Sequence, residues 1–151
     1  MAQQKEIIST INGLIETLKD GQEGFKQAAE AVKDTKLKSL FGEFSQQRAR
    51  FARELQSEAN RFGETEPEQS SSATGAMHRA WIDLKAAATS GDEHAILAEC
   101  ERGEDSAVKE YKEAMEADLT PPVREIVLRQ YSEVKSAHDR IRSLRDLAKA
   151  S

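Results

Sequence analysis

The stretch KLKSLFGEFSQQRARFARELQSEANRFG, residues 36–63, decides the fold class of this chain. Its apolar residues recur every three or four positions, which places them on one face of an α-helix. Gly63 ends the pattern, as glycine commonly does just beyond a helix C-terminus. A cation, Arg48, stands in the middle of the apolar face, so the stretch predicts a long amphipathic helix that carries a buried charge. The apolar residues of this face are Leu37, Phe41, Phe44, Phe51, Leu55, Ala59 and Phe62.

The same periodicity occurs in three further segments, so four long helices are predicted. Between the second and third of them, a shorter pattern around Trp81 predicts a short helix, preceded by a loop that holds Pro67 and three consecutive serines. The composition agrees, because 32% of the residues are charged and only three are proline. The predicted long helices cover about 4–32, 36–62, 92–119 and 121–149, the short helix about 75–88, and the loop 63–74.

Polar residues stand where three helix N-termini are predicted. Asp34-Thr35 breaks the first pattern and can cap the second helix, where a side-chain oxygen accepts a hydrogen bond from a free N–H of the first turn. Ser90 and Glu93 have the spacing of a capping box, which predicts that the third long helix begins there. Thr120 precedes Pro121, a residue that suits the first helical position, so the last helix is predicted to begin at this point.

The lengths of the connections predict the topology. The first two long helices, and the last two, are joined by only a few residues, so each pair should be antiparallel. The long segment between the second and third can carry the chain back along the bundle and make those two helices parallel, which is the ferritin-like arrangement. We therefore predict one all-α domain over residues 1–151, a ferritin-like four-helix bundle with a short additional helix in the crossover. The alternative is a short helix that packs across one end.

Charge and hydropathy limit the classes of partner. The formal net charge is −5, and residues of both signs alternate along the chain without forming a basic stripe. This pattern argues against nucleic acid and against an anionic membrane surface as partners. No segment has the pattern of a transmembrane helix or a signal peptide, so we expect a cytoplasmic protein. The single cysteine, Cys100, lies in a helical pattern and is predicted to be a small core residue.

Five polar residues fall on or beside the apolar helix faces at a similar depth in the bundle. Arg48 and Glu104 lie well inside their faces, at comparable distances from the starts of the second and third long helices. If those helices are parallel, the two side chains meet at one level. Gln22 on the first helix, and Gln130 and His138 on the last, reach a nearby level. We predict a polar layer at mid-bundle that is built on a buried Arg48–Glu104 ion pair.

A di-iron centre is the alternative use of such a layer. Bundles with this centre carry a Glu from each of two helices and a Glu-x-x-His motif from each of the others. That motif is absent, since Lys135 stands three residues before His138. Only Glu101, Glu104 and His138 remain as candidate ligands for iron or another divalent metal, and Arg48 would repel the metal. We therefore predict no metal cofactor and keep this ligand set as the alternative.

The sequence offers little support for catalysis. It contains no glycine-rich phosphate loop, no Cys-x-x-Cys pair and no nucleophile elbow. The prediction is a non-enzymatic bundle that binds another protein or associates with itself, and the alternative is a metal-binding oxidase or storage protein. A third hypothesis is a small-ligand site in a gap beside Gly21, Gly24 and Gly103, which lie on core faces. Trp81 is predicted to anchor the short helix.

Eight short runs along the chain carry a resemblance to a known family: Leu14–Gly21, Gly24-Phe25, Ala28–Glu30, Gln47-Arg48, Glu54–Gln56, His78–Trp81, Glu101–Asp105 and Ala137–Ile141. They resemble those of a bacterial family known as domain of unknown function 2383. The resemblance extends from about Ile7 to Leu147 and implies a ferritin-like four-helix bundle in a bacterial, cytoplasmic protein. It implies no reaction and supplies no metal ligands. Relatives of this scaffold often serve stress and storage roles, so analogy adds a stress-associated role.

Overall fold

Five helices make up most of the described chain, which in this computed structural model comprises residues 2–63, 81 and 84–150, with side chains from Gln4 to Ala148. This part of the chain contains no β-strand, so the all-α prediction is confirmed. The helices are α1 (Ala2–Ala31), α2 (Thr35–Arg61), α3 (Leu84–Ser90), α4 (Glu93–Glu116) and α5 (Pro121–Ala150). Most of the predicted loop, and the first part of the predicted short helix, lie outside the described residues.

Two aspartates cap the helices that carry the central charges. Asp34 accepts a hydrogen bond from the N–H three residues on, at 3.0 Å, which confirms its predicted role at the start of α2. At the start of α4 the capping residue is Asp92, so the prediction of Ser90 was wrong. The reason is Gly91, whose φ of 72° ends α3 in the left-handed region and leaves Ser90 in the last turn of that helix.

The helices alternate in direction within each sequential pair. Gln4 at the start of α1 donates to the carbonyl of Phe62, just beyond the end of α2, at 2.9 Å, so these helices are antiparallel. A groove at one end of the bundle is lined by Leu37 and Leu97, which lie near the starts of α2 and α4, and by Leu144 near the end of α5. Consequently α2 and α4 run in the same direction, and α5 runs against both.

Neighbouring helices form the sides of a four-sided bundle. The most extensive contacts join α1 to α2 and α4 to α5, while α1 also packs on α4 and α2 on α5. In this arrangement α2 and α4 face each other across the diagonal. The short helix α3 packs against α1 and α4, on the outside of the bundle. No helix among the described residues is long and apolar enough to cross a membrane.

The apolar core has two clusters with charged residues between them. One cluster is centred on Leu55, Tyr111 and Val127, and the other on Phe41 and Ile96. On α2 the first cluster begins at Phe51 and the second ends at Phe41, and Arg48 falls in the interval. On α4 the second cluster ends at Cys100 and the first begins at Ala107, and Glu104 falls in the interval. The two charges therefore lie at the junction of the clusters.

Candidate functional site

Arg48 and Glu104 form a bidentate ion pair across the diagonal of the bundle. Nη1 of Arg48 lies 2.5 Å from Oε1 of Glu104, and Nη2 lies 2.7 Å from Oε2. Only 1% of the Arg48 side chain and 0% of the Glu104 side chain is exposed. The planar guanidinium thus donates two parallel hydrogen bonds to the two carboxylate oxygens, which is the strongest geometry for such a pair. Both charges are withdrawn from water and depend on each other for compensation.

Further contacts surround the Arg48 guanidinium. Its Nε donates to Oε1 of Gln47 at 3.2 Å, and its Cζ lies 5.3 Å from the centre of the Phe25 ring, within cation–π range. Burial opposes the charged form of Arg48, but the attraction and the hydrogen bonds from Glu104 outweigh that effect, so the pKa of Arg48 is raised above its usual value. The arginine therefore remains cationic inside the bundle.

Gln130 on α5 is a second buried polar group, and both ends of its amide are paired. Its Oε1 accepts from the Tyr111 hydroxyl at 2.7 Å, while its Nε2 donates to Oε1 of Glu54 at 2.9 Å and to the Phe51 carbonyl at 3.3 Å. Burial raises the pKa of Tyr111 well above its ordinary value, so the hydroxyl keeps its proton and acts as the donor. This hydrogen-bond network links α2, α4 and α5, and it lies next to the ion pair along the bundle axis.

The other two members of the predicted layer lie at its edge. Gln22 is half-buried, and its contact with α2 is made by its backbone carbonyl, which accepts from the Ser45 hydroxyl at 2.9 Å. His138 is largely buried, but its ring contacts Asp105 and Asp139 rather than Arg48 or Glu104. The five predicted residues therefore divide into the central ion pair, the Gln130 network, and two residues that face other partners.

His138 belongs to a cluster of possible metal ligands on the outer side of α4 and α5. One donor atom each from Glu101, Asp105 and His138 lies within 4.8 Å of the others. The alternative ligand set from the sequence contained Glu104, whose two oxygens both accept from Arg48, and the carboxylate beside His138 is that of Asp105. The ligand set predicted from the sequence did not include Asp105, although its position four residues after Glu101 places both carboxylates on one side of a helix.

The gap proposed beside three core glycines is filled by two large side chains, so that hypothesis was wrong. The Trp81 indole lies directly against Gly24 on α1 and Gly103 on α4, and a Cβ atom at either glycine would overlap the ring. At Gly21 an added Cβ would lie 3.7 Å from the Arg48 side chain. The two close approaches let Trp81 enter between α1 and α4, where only 8% of it remains exposed.

Cys100 is a buried core residue, as predicted. Its exposed fraction is 0%, and burial, together with the nearby Glu104 and Glu99 carboxylates, raises the pKa of its thiol well above the usual value. A thiol in this environment remains protonated and cannot reach a reagent in solution, so it is not a nucleophile.

The chain is a four-helix bundle with antiparallel neighbours, in which a buried ion pair joins α2 and α4 across one diagonal. The family model described as domain of unknown function (DUF2383) matches residues 6–117, from α1 to the end of α4. The chain belongs to this family, which confirms the resemblance seen in the sequence. The match includes Arg48 and Glu104 and ends before α5, which carries Gln130 and His138. No curated protein matches the chain.

Proposed function

We propose that this protein is a non-catalytic, ferritin-like four-helix bundle in which an ion pair takes the place of a dinuclear metal centre. It would act by binding another protein or a second copy of itself, in a stress-associated role in the bacterial cytoplasm. The single observation that carries the proposal is the bidentate Arg48–Glu104 pair at the junction of the two core clusters. The parallel directions of α2 and α4, which require a long crossover between them, support the ferritin-like part of the proposal.

The chemistry of the core favours a structural role over a redox role. A dinuclear iron site gathers several carboxylates and histidines, whose negative charge balances the two cations. Here the central carboxylate, Glu104, already compensates a cation, and the guanidinium of Arg48 stays charged at any ordinary pH. A metal ion at this point would have to displace Arg48 from Glu104 and then share the cavity with a like charge. An oxidase or storage protein that used Glu101, Glu104 and His138 together would meet this obstacle.

Metal content after iron loading tests the proposal. The full chain, purified without a metal-affinity column, is incubated anaerobically with iron(II), exposed to oxygen, desalted and analysed by mass spectrometry and by its absorption spectrum. We expect no oxo-bridged iron spectrum and no iron whose retention depends on Glu104. Glu104→Ala and His138→Gln are measured in parallel. Near-stoichiometric iron that disappears in Glu104→Ala, with or without a loss in His138→Gln, would place the metal at Glu104 and refute the proposal. Iron that disappears only in His138→Gln would lie outside the ion pair and leave the proposal standing.

A further inference from the structure

We propose that Glu101 and Asp105 of α4 and His138 of α5 bind one divalent transition-metal ion, with Zn²⁺ as the ion that best fits the donors. The site lies at the outer edge of the contact between α4 and α5 and does not use Glu104. It is therefore separate from the ion pair in the core and independent of the proposed function. Its support comes from the positions of the ligand atoms, the orientation of the histidine and the burial of two of the three side chains.

The ligand atoms are close enough to share one ion after small movements. The three donor atoms lie within 4.8 Å of one another, and Nε2 of His138 is 2.5 Å from Oδ1 of Asp105. Ligands of one tetrahedral Zn²⁺ stand about 3.4 Å apart, given metal–ligand distances of about 2.0–2.1 Å. Asp105 must therefore withdraw by about 1 Å for an ion to fit between it and His138, while the other carboxylate, Glu101, is already within 4.8 Å of both. The Asp105 side chain is 62% exposed, so it can move without disturbing the core.

The orientation of His138 suits a metal ligand. Its Nδ1 lies 3.0 Å from Oδ1 of Asp139, so this nitrogen has a carboxylate to which it can donate a proton. Histidines that bind metals usually donate from one ring nitrogen to a carboxylate or carbonyl, and this contact fixes the ring and leaves the other nitrogen for the metal. At His138 the other nitrogen, Nε2, points at Asp105. The arrangement matches a carboxylate–histidine–metal series.

The donors select for a transition metal over magnesium or calcium. Imidazole nitrogen suits Zn²⁺ and its neighbours, whereas Mg²⁺ and Ca²⁺ prefer oxygen ligands alone. The side chains of Glu101 and His138 are only 11% and 10% exposed, so the α4–α5 packing holds these two ligands in place. Three protein ligands leave one position of a tetrahedral ion open. Because the Asp105 side of the site is exposed, water or a group from a partner could occupy that position.

Arg145 is a competitor built into the same site. Its Nη1 lies 2.5 Å from Oε1 of Glu101, and a second contact joins its Nη2 to Asp146 at 3.0 Å. A metal ion at the site therefore has to share Glu101 with a guanidinium or displace it. The Arg145 side chain is 31% exposed and has Asp146 as a remaining partner, so it can turn away. Removing the charge of Arg145 should therefore strengthen metal binding, so a variant at this position tests the site through a gain in affinity.

Isothermal titration calorimetry with Zn²⁺ tests the site. The full chain is purified without a metal-affinity tag, treated with a chelator and titrated with Zn²⁺, with Mg²⁺ as the reference ion. Four proteins are compared: the unchanged chain, His138→Gln, Arg145→Gln and His94→Gln. The last is the matched control, because it makes the same substitution at a histidine in the first turn of α4 that is outside the cluster. Far-UV circular dichroism checks that each variant is folded.

The expected result is about one Zn²⁺ per chain, no Mg²⁺ at the same concentrations, loss of Zn²⁺ binding in His138→Gln and retention in His94→Gln. Arg145→Gln should bind Zn²⁺ several-fold more tightly than the unchanged chain. Equal Zn²⁺ affinity in His138→Gln and the unchanged chain would overturn the proposal, as would an absence of Zn²⁺ binding in both the unchanged chain and Arg145→Gln. If His138→Gln loses its helical signal, the Arg145→Gln comparison decides: tighter binding supports the site and unchanged binding overturns it.

Discussion

Separating Arg48 from Glu104 should destabilise the protein far more than removing both charges together. The reason is that the two side chains are only 1% and 0% exposed and form a bidentate ion pair with each other. Among the described residues, no other ion pair involves either of them. Two further groups in contact with Arg48, the Gln47 amide and the Phe25 ring, are neutral. A single substitution therefore leaves one buried charge without compensation, whereas a double substitution leaves none.

Breaking a buried ion pair from one side costs about 3–5 kcal/mol, while replacing both partners by apolar residues of similar volume is often neutral or stabilising. For a chain of this length, that loss lowers the melting temperature by roughly 10–15 °C. The two single variants should also differ. Glu104→Leu should cost more than Arg48→Met, because a buried carboxylate can become neutral by taking up a proton, whereas a guanidinium cannot lose one.

The assay is a double-mutant cycle of Arg48→Met, Glu104→Leu and the combined variant, followed by thermal and urea unfolding monitored by far-UV circular dichroism. The combined variant should melt within about 5 °C of the unchanged chain and clearly above both single variants. If the losses of the two single variants simply add in the combined variant, the two charges are not coupled, and the reasoning from the structure fails.

Three further predictions follow from the packing. Gly24→Ala should destabilise the fold by about 1–3 kcal/mol, because the added methyl group overlaps the Trp81 ring. Gly42→Ala has no atom near its added methyl group and should instead stabilise α2 by up to about 1 kcal/mol. Urea unfolding should therefore show a lower free energy of unfolding for the first variant and a higher one for the second. Cys100 should react with Ellman's reagent only when the protein unfolds, and fast labelling of the folded chain would show that the thiol is accessible. Tyr111→Phe should cost about 1–2 kcal/mol in urea unfolding, because it leaves a buried amide oxygen without its donor.

Helical periodicity was sufficient to predict the central pair. Arg48 and Glu104 each stand well inside an apolar face, and residues at such positions point into the bundle whatever the exact rotation of the helix. The prediction that these two residues lie at the same level of the bundle required only that α2 and α4 be parallel. Gln130 was predicted only as a polar residue in the core, without its hydrogen-bond network. Its partners depend on side-chain reach across two helix contacts, which a single sequence does not define.

Residues at the edges of the helix faces were harder to place. His138 lies where a rotation of α5 by a few tens of degrees decides between the core and the surface, and in the structure its ring contacts Asp105 on the outer side. Gln22 is in a similar position on α1 and remains half-buried. Trp81 and Gly103 were each noted, but their contact joins segments whose relative positions follow from the crossover. The periodicity of apolar residues within one helix contains no information about where the crossover places those segments.

We propose that the ion pair also selects one alignment of the helices. Aliphatic faces can slide against one another by a helical turn, about 5.4 Å, at modest cost, because a new set of apolar contacts replaces the old one. A slide of α2 against α4 by that distance would break both Arg48–Glu104 hydrogen bonds and bury two separate charges. The pair adds little net stability to the correct alignment, since desolvation offsets most of its attraction. We therefore expect it to act mainly by raising the free energy of the shifted alignments, so that the combined apolar variant stays folded but populates more than one arrangement, seen as extra or broadened NMR resonances.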